Sequence, residues 1–221
     1  MNICMIMSGG VGSRFGASLP KQYVELLGRP IIDYVIDACR GSKLCDKILI
    51  VADPSWYGYS EGMRLPGIDY AENGKERLDS VKSGFDHIAA GSTPPLYDDT
   101  KVVIFDAVAP FVYPELIDDY FTALDNCDAV ITCQKLTGAL GNIFFDPLDR
   151  EQYFMTQSPE GFKFGKIYSV LDTKFPSQEL AWQLGKDAEY KLNFDFKENL
   201  KLTYDYQLKE MEYRLREINN I

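Results

Sequence analysis

Histidine occurs once in 221 residues, at position 87, and the five cysteines (Cys4, Cys39, Cys45, Cys127, Cys133) are scattered with no CxxC pair. A zinc site needs clustered thiolates or imidazoles and a disulfide framework needs paired cysteines, so neither is expected. His87 itself falls in a helical pattern and reads as structural. Basic residues are also in short supply, with 23 Lys and Arg against 33 Asp and Glu for a net charge of −10. Duplex nucleic acid requires a basic face, and that partner is excluded. No stretch approaches the roughly eighteen apolar residues of a membrane span, and the first residues lack a basic segment followed by an apolar run and a cleavage site. The expectation is a cytoplasmic protein with no membrane partner. Repeats and low-complexity segments are missing too.

What is present is an ordinary folded composition, 46% hydrophobic and 25% charged, in a chain long enough for one substantial domain over residues 1–221. Residues 2–7, NICMIM, form a bare apolar run that ends in glycines and reads as a buried strand. DKILIVAD (46–53), Lys101–Phe105 and Asp128–Cys133 read as three more. Helical spacing of apolar residues runs through Ile31–Cys39, Ser80–Ala90 and Leu116–Leu124, and again through Lys201–Ile221, where Leu202, Leu208, Met211, Leu215 and Ile218 suit a surface helix. Strands alternating with helices predict an α/β fold, a Rossmann-like, mostly parallel sheet flanked by helices. Ligands then sit beyond the carboxyl ends of the strands, where the segments after Met7, after Phe105 and near Asp53 would meet. From Leu136 to Phe154 the pattern loosens, consistent with a β-arm leaving the domain or a long loop.

The first loop, SGGVGSRFGASLPKQ, concentrates backbone N–H groups and two cations, Arg14 and Lys21. A glycine-rich turn after a strand makes an anion cradle because amides can face phosphate oxygens with no side chain between; the plainer reading is a tight turn with two solvated cations. Neither named phosphate loop fits. GxxxxGK[ST] sets its glycines five apart, whereas Gly16 stands six residues after Gly10 and is followed by Ala17 and Ser18. In GxGxxG the third glycine would stand at 15, one place before Gly16.

The pattern that remains, GGxGxRxG followed by PKQY, resembles the signature of the sugar-phosphate nucleotidyltransferases, and within them the cytidylyltransferases that act on methylerythritol phosphate or ribitol phosphate. NGKERLDSVKSGF (73–85), FDAVAPF (105–111), LDREQY (148–153), TQSPEGF (156–162) and ENLKLT (198–203) resemble further segments of that family in the same order. The resemblance implies a nucleotidyltransferase fold of the glycosyltransferase-A-like type with a projecting β-arm, and a homodimer formed through residues 136–155. It implies CTP and a small phosphorylated acceptor as partners and Mg²⁺ as cofactor. Ser8, Gly9, Gly10, Gly12, Gly74, Ser80 and Ala107 would bind the nucleotide, with Arg14, Lys21 and Lys201 as the catalytic cations and Asp106 on the metal. Arg150 from the arm, Thr137, Ser177 and Lys201 would hold the acceptor, Lys201 on the C-terminal lysine strand.

Plainer roles stand beside these. Asp106 could cap a helix starting near Pro114, Ser80 could be a helix N-terminal residue, and Arg150 and Lys201 could be surface charges. The resemblance departs on the acceptor side. Members that use methylerythritol phosphate generally carry arginine three residues after the motif aspartate; here Ala109 stands there. Phe105 replaces a histidine, and Ser177, Gln178 and Glu179 replace a threonine-aspartate-acid run. The expected activity is therefore transfer of CMP from CTP to a small phosphorylated polyol or similar acceptor, for surface polysaccharide synthesis. The alternatives are methylerythritol-phosphate activity in isoprenoid synthesis and nucleotide binding without turnover.

Overall fold

A computed structural model describes residues 1–10, 19–91, 100–197 and 199–219. Gly12 and Arg14 lie outside them. The centre of the fold is a seven-stranded sheet of β1 (Asn2–Met7), β4 (Lys47–Ala52), β5 (Ile68–Glu72), β6 (Lys101–Asp106), β7 (Ala129–Lys135), β8 (Phe154–Lys163) and β9 (Tyr190–Asn193), in the order β5-β4-β1-β6-β8-β7-β9. Four of the pairings are parallel; β8 alone runs against its neighbours β6 and β7. Two residues each of β2 (Glu25–Leu26) and β3 (Arg29–Pro30) make a separate small ladder.

The central strands are bare apolar runs because both of their faces are covered. Along β1, Cys4 and Ile6 pack into a layer with α1 (Ile31–Gly41), α3 (Pro114–Ala123) and α5 (Gln207–Asn219). Ile3 and Met5 point the other way, against α2 (Arg77–Ala90) and α4 (Phe164–Val170). Helix α2 comes close enough to the sheet that a Cβ on Gly84 would lie 2.5 Å from Met5 Sδ and 2.9 Å from Val51 Cγ2. Its start is fixed by a capping box between Glu76 and Asp79, which satisfies the first free amides of the helix. Pro114 opens α3 at a position where its missing N–H costs nothing. Among the described residues no helix is long and apolar enough to cross a membrane.

Several expectations need amendment. Strands β5, β8 and β9 and helix α4 were not legible in the apolar pattern. The segment expected as an arm is the connection of the β7–β8 hairpin: strand ends at Lys135 and resumes at Phe154, and between them only Arg150–Gln152 form a short 3-10 turn. The helix expected from Lys201 begins at Gln207, and the described residues of 198–203 are not a strand. They form an irregular strap, held by one backbone bond from Leu202 N–H to Val108 O (3.0 Å) and by the fully buried Leu202 side chain. A single bond of this kind makes no ladder.

Replacing Gly84 with Val should cost about 2 kcal/mol through overpacking of Met5 and Val51. Urea unfolding measures it, and an unchanged midpoint would contradict the close helix–sheet approach.

Candidate active site

Two adjoining clefts, about 230 and 320 Å³, open at the carboxyl ends of β1, β5 and β6. The first is built on two loops. Gly9 and Gly10 follow β1, and Asn73 and Gly74 follow β5, with the loops so close that a Cβ on Gly9 would lie 2.4 Å from Asn73 Cβ. The second loop is braced from below by Ser80, whose Oγ accepts from Gly74 N–H at 3.0 Å and donates to Glu76 O at 3.0 Å. Ser80 is thus both an early helix residue and the buttress of the cleft wall.

Lys21 enters from the 3-10 turn Lys21–Tyr23, which is locked beneath the end of β1. Gln22 Nε2 donates to Ser8 O at 2.6 Å, and the Tyr23 hydroxyl lies 3.2 Å from Ser8 Oγ. Ser8 is buried under the cleft floor rather than on its surface. Lys21 Nζ donates to Leu202 O at 3.1 Å, so the amino-terminal turn and the carboxyl-terminal strap meet across the opening. Lys21, Lys75, Arg77 and Lys201 line this cleft against two carboxylates, Glu76 and Asp106. In a chain of net charge −10, that local excess of cations suits a polyanionic ligand.

Asp106 ends β6 and sits in the wall shared by both clefts, together with Lys201 and Arg77. Its N–H donates to Ser158 Oγ (2.8 Å) and its Oδ2 pairs with Lys201 Nζ (2.5 Å). It caps no helix; the residue preceding α3 is Tyr113. Burial pushes the Asp106 carboxyl up, but Lys201, Arg77 and Lys21 outweigh it and hold the group below the usual carboxylate range. An ionised carboxylate of this kind fits Mg²⁺, which takes one or two protein carboxylates and completes its shell with phosphate oxygens and water. The second cleft adds Thr156, Gln157, Ser158, Glu160, Glu179 and Asn199.

The residues expected at the site therefore divide. Gly9, Gly10, Lys21, Gly74, Ser80, Asp106, Ala107 and Lys201 converge on the first cleft. Ser177 lines neither cleft; its Oγ accepts from the N–H of Glu179, which lines the second. Arg150 and Thr137 are joined to each other, Nη1 to O at 3.1 Å, on the hairpin connection and away from both clefts of their own chain. Asp53 caps a short turn through Ser55 and lies in neither cleft. The motifs gave no role to Gln22, Arg77 or Glu160. All three stand inside quoted segments, PKQY, NGKERLDSVKSGF and TQSPEGF, but what ties them to the site is tertiary contact.

A family model described as 2-C-methyl-D-erythritol 4-phosphate cytidylyltransferase matches residues 3–217. The chain belongs to this family. Among IspD-family relatives, the 2-C-methyl-D-erythritol 4-phosphate cytidylyltransferase of Bifidobacterium longum is 31% identical over 184 residues, 77% of this chain and 62% of that protein. The bifunctional ribulose 5-phosphate reductase/CDP-ribitol pyrophosphorylase of Haemophilus influenzae is 30% identical over 183 residues, 77% of this chain and 37% of that protein. The chain thus spans less than two thirds of these relatives. The solved structure of the 4-diphosphocytidyl-2C-methyl-D-erythritol synthase of Anaerococcus prevotii shares the IspD fold at a TM-score of 0.80 and 21% identity, over 97% of this chain and 96% of that one.

A Cβ at position 74 would lie 2.3 Å from Asp79 Cβ and 2.8 Å from its backbone carbon, so Gly74→Ala must lift the loop off α2. Removing the Ser80 hydroxyl breaks the brace without that clash and should cost about 1 kcal/mol; Gly74→Ala should cost more, about 2 kcal/mol. The reverse order in urea midpoints would contradict the contact.

Proposed function

We propose that this chain transfers CMP from CTP to a small phosphorylated polyol, releasing pyrophosphate. A phosphate oxygen of the acceptor attacks the α-phosphorus of CTP, the bond from that phosphorus to the bridging oxygen breaks, and pyrophosphate leaves with the electron pair. Both reactants are anions, so the barrier is repulsion on approach and charge accumulating on the α-phosphoryl oxygens. Positioning and positive charge answer it, with no covalent intermediate. In this reading the Gly9–Gly10 and Gly74 backbones, with Ser80 and Ala107, hold the nucleotide above buried Ser8, and Gly12, outside the described residues, would join them. Lys21 and Arg14 take its phosphates. Asp106 would hold Mg²⁺, whose contribution when bound is to screen the triphosphate and improve pyrophosphate as a leaving group.

The observation that carries the proposal is the shared wall: two clefts meet at Asp106, Lys201 and Arg77, the first rich in cations and the second in the hydroxyl and amide groups of Thr156, Gln157, Ser158 and Asn199. Those groups suit the hydroxyls of a polyol, and Lys201 would steady the acceptor phosphate at the junction. Ala109, buried at 2% exposure, supplies no cation where methylerythritol-phosphate enzymes generally carry arginine. The CDP-ribitol pyrophosphorylase named in the Haemophilus influenzae relative supports ribitol phosphate, and a glycerol phosphate is the other candidate, either serving a surface polysaccharide. Methylerythritol phosphate is the second reading, favoured by the family description itself.

The reaction belongs in the cytoplasm, where CTP is made. A homodimer fits the hairpin connection, whose tip exposes Ile143, Phe144 and Phe145 at 86%, 75% and 93%, because consecutive bare apolar side chains mark an interface. Arg150 and Thr137 on that connection, and Ser177 behind Glu179, would then act on the acceptor, the first two across the dimer.

Pyrophosphate release, measured with all four nucleoside triphosphates and a panel of acceptors, should be fastest with CTP and a polyol phosphate; turnover solely with methylerythritol phosphate would select the second reading. Lys21→Ala should lower turnover by about a thousandfold with the fold intact, and a loss under about tenfold would remove Lys21 from the chemistry. Changing Phe144 and Phe145 to Ser should yield monomers in sedimentation velocity, whereas an undisturbed dimer would place the interface elsewhere.

A further inference from the structure

Arg77 is the first residue of α2 and lines both clefts. Its guanidinium is fixed from the far side, by Nη2 to Glu160 Oε1 at 2.6 Å and by Nη1 to Gln178 O at 2.9 Å. Glu160 is 5% exposed while Arg77 is 30% exposed. The pair is therefore closed on the carboxylate side and open to the clefts on the guanidinium side. A buried ion pair is a poor device for stability alone, since apolar residues of similar volume commonly do as well or better. Arginine carries five N–H donors, and two of them are engaged among the described residues. Burial lowers the Arg77 pKa, but Glu160 and Asp106 outweigh it and keep the group charged above its ordinary range.

The wall between the clefts is where the two reacting phosphates must meet if the chain transfers a cytidylyl group, and the inference rests on that reading. Lys201, the other cation there, is already paired with Asp106. Ala109 brings none. We infer that Arg77 is a substrate-binding catalytic residue: anchored by Glu160 and Gln178, it turns its remaining donors to the α-phosphate of CTP and the acceptor phosphate. It thus supplies on the acceptor side the positive charge that position 109 lacks. Glu160 touches neither substrate in this scheme and is a positioning residue, holding a planar fork in one orientation.

Arg77→Gln alone leaves Glu160 as a buried unpaired carboxylate and can unfold the chain, so the decisive variant is Arg77→Gln with Glu160→Gln, which removes both charges. It is read by thermal unfolding and by pyrophosphate release from CTP with the polyol phosphate that the wild type uses best. The expected result is a melting temperature within about 3 °C of wild type and a turnover reduced by at least about 100-fold. A folded double variant within fivefold of wild-type turnover would mean that Arg77 only neutralises Glu160, and would overturn the assignment. Should the double variant not fold, Arg77→Lys keeps the charge and the pairing but not the fork. It should then lose roughly tenfold or more in kcat/KM for the acceptor, and unchanged kinetics would overturn the assignment. A wild-type chain that releases no pyrophosphate with any acceptor refutes the transfer reading itself, and the role of Arg77 falls with it.

Discussion

The carboxylate of Asp106 is the point on which the site turns. It ends the last of four neighbouring parallel strands, it stands in the wall shared by two clefts, and its charge is maintained against burial by the combined field of Lys201, Arg77 and Lys21. Each of those cations arrives on a different part of the chain: an amino-terminal turn, the start of α2 and the carboxyl-terminal strap. One half-buried charge thereby organises segments that share no secondary structure. Neutral Asp106 would leave three cations crowded in one opening, for a bound polyanion to offset.

How much of this was legible beforehand depended on where the relevant contact is encoded. Strands β1, β4, β6 and most of β7 are covered on both faces, so burial writes itself into the sequence as bare apolar runs. Strands β5 and β9 lie at the two sheet edges, half-exposed and short, and IDYAE and YKLN carry no such signal. Strand β8 carries the polar run Thr156–Ser158 and then Pro159 in its middle, so its ten residues resemble a loop until their antiparallel partners are known. The glycines, Lys21 and Asp106 were readable because a loop motif is local. The Arg77–Glu160 pair was not, because its members stand 83 residues apart and only the fold makes them neighbours.

The mixed sheet also explains why two clefts exist. The parallel half, β5-β4-β1-β6, ends in loops that form the first, cation-rich opening, as such sheets generally do. Antiparallel β8 then sends Thr156 to Glu160 past the same edge in the reverse direction, giving a second wall of hydroxyl, amide and carboxylate groups. Strand reversal at a single position thus adds a polar compartment beside a cationic one.

The strap that carries Lys201 has a bearing on biogenesis. It is irregular backbone, seated by Leu202 and followed by α5, whose Met211 and Leu215 complete the layer beneath the sheet. During synthesis the central strands and both glycine loops leave the ribosome well ahead of it, so a nascent chain can assemble its sheet while the shared wall is still missing a cation. The shared wall closes after the sheet, at the place where the Lys21 turn touches the strap at Leu202.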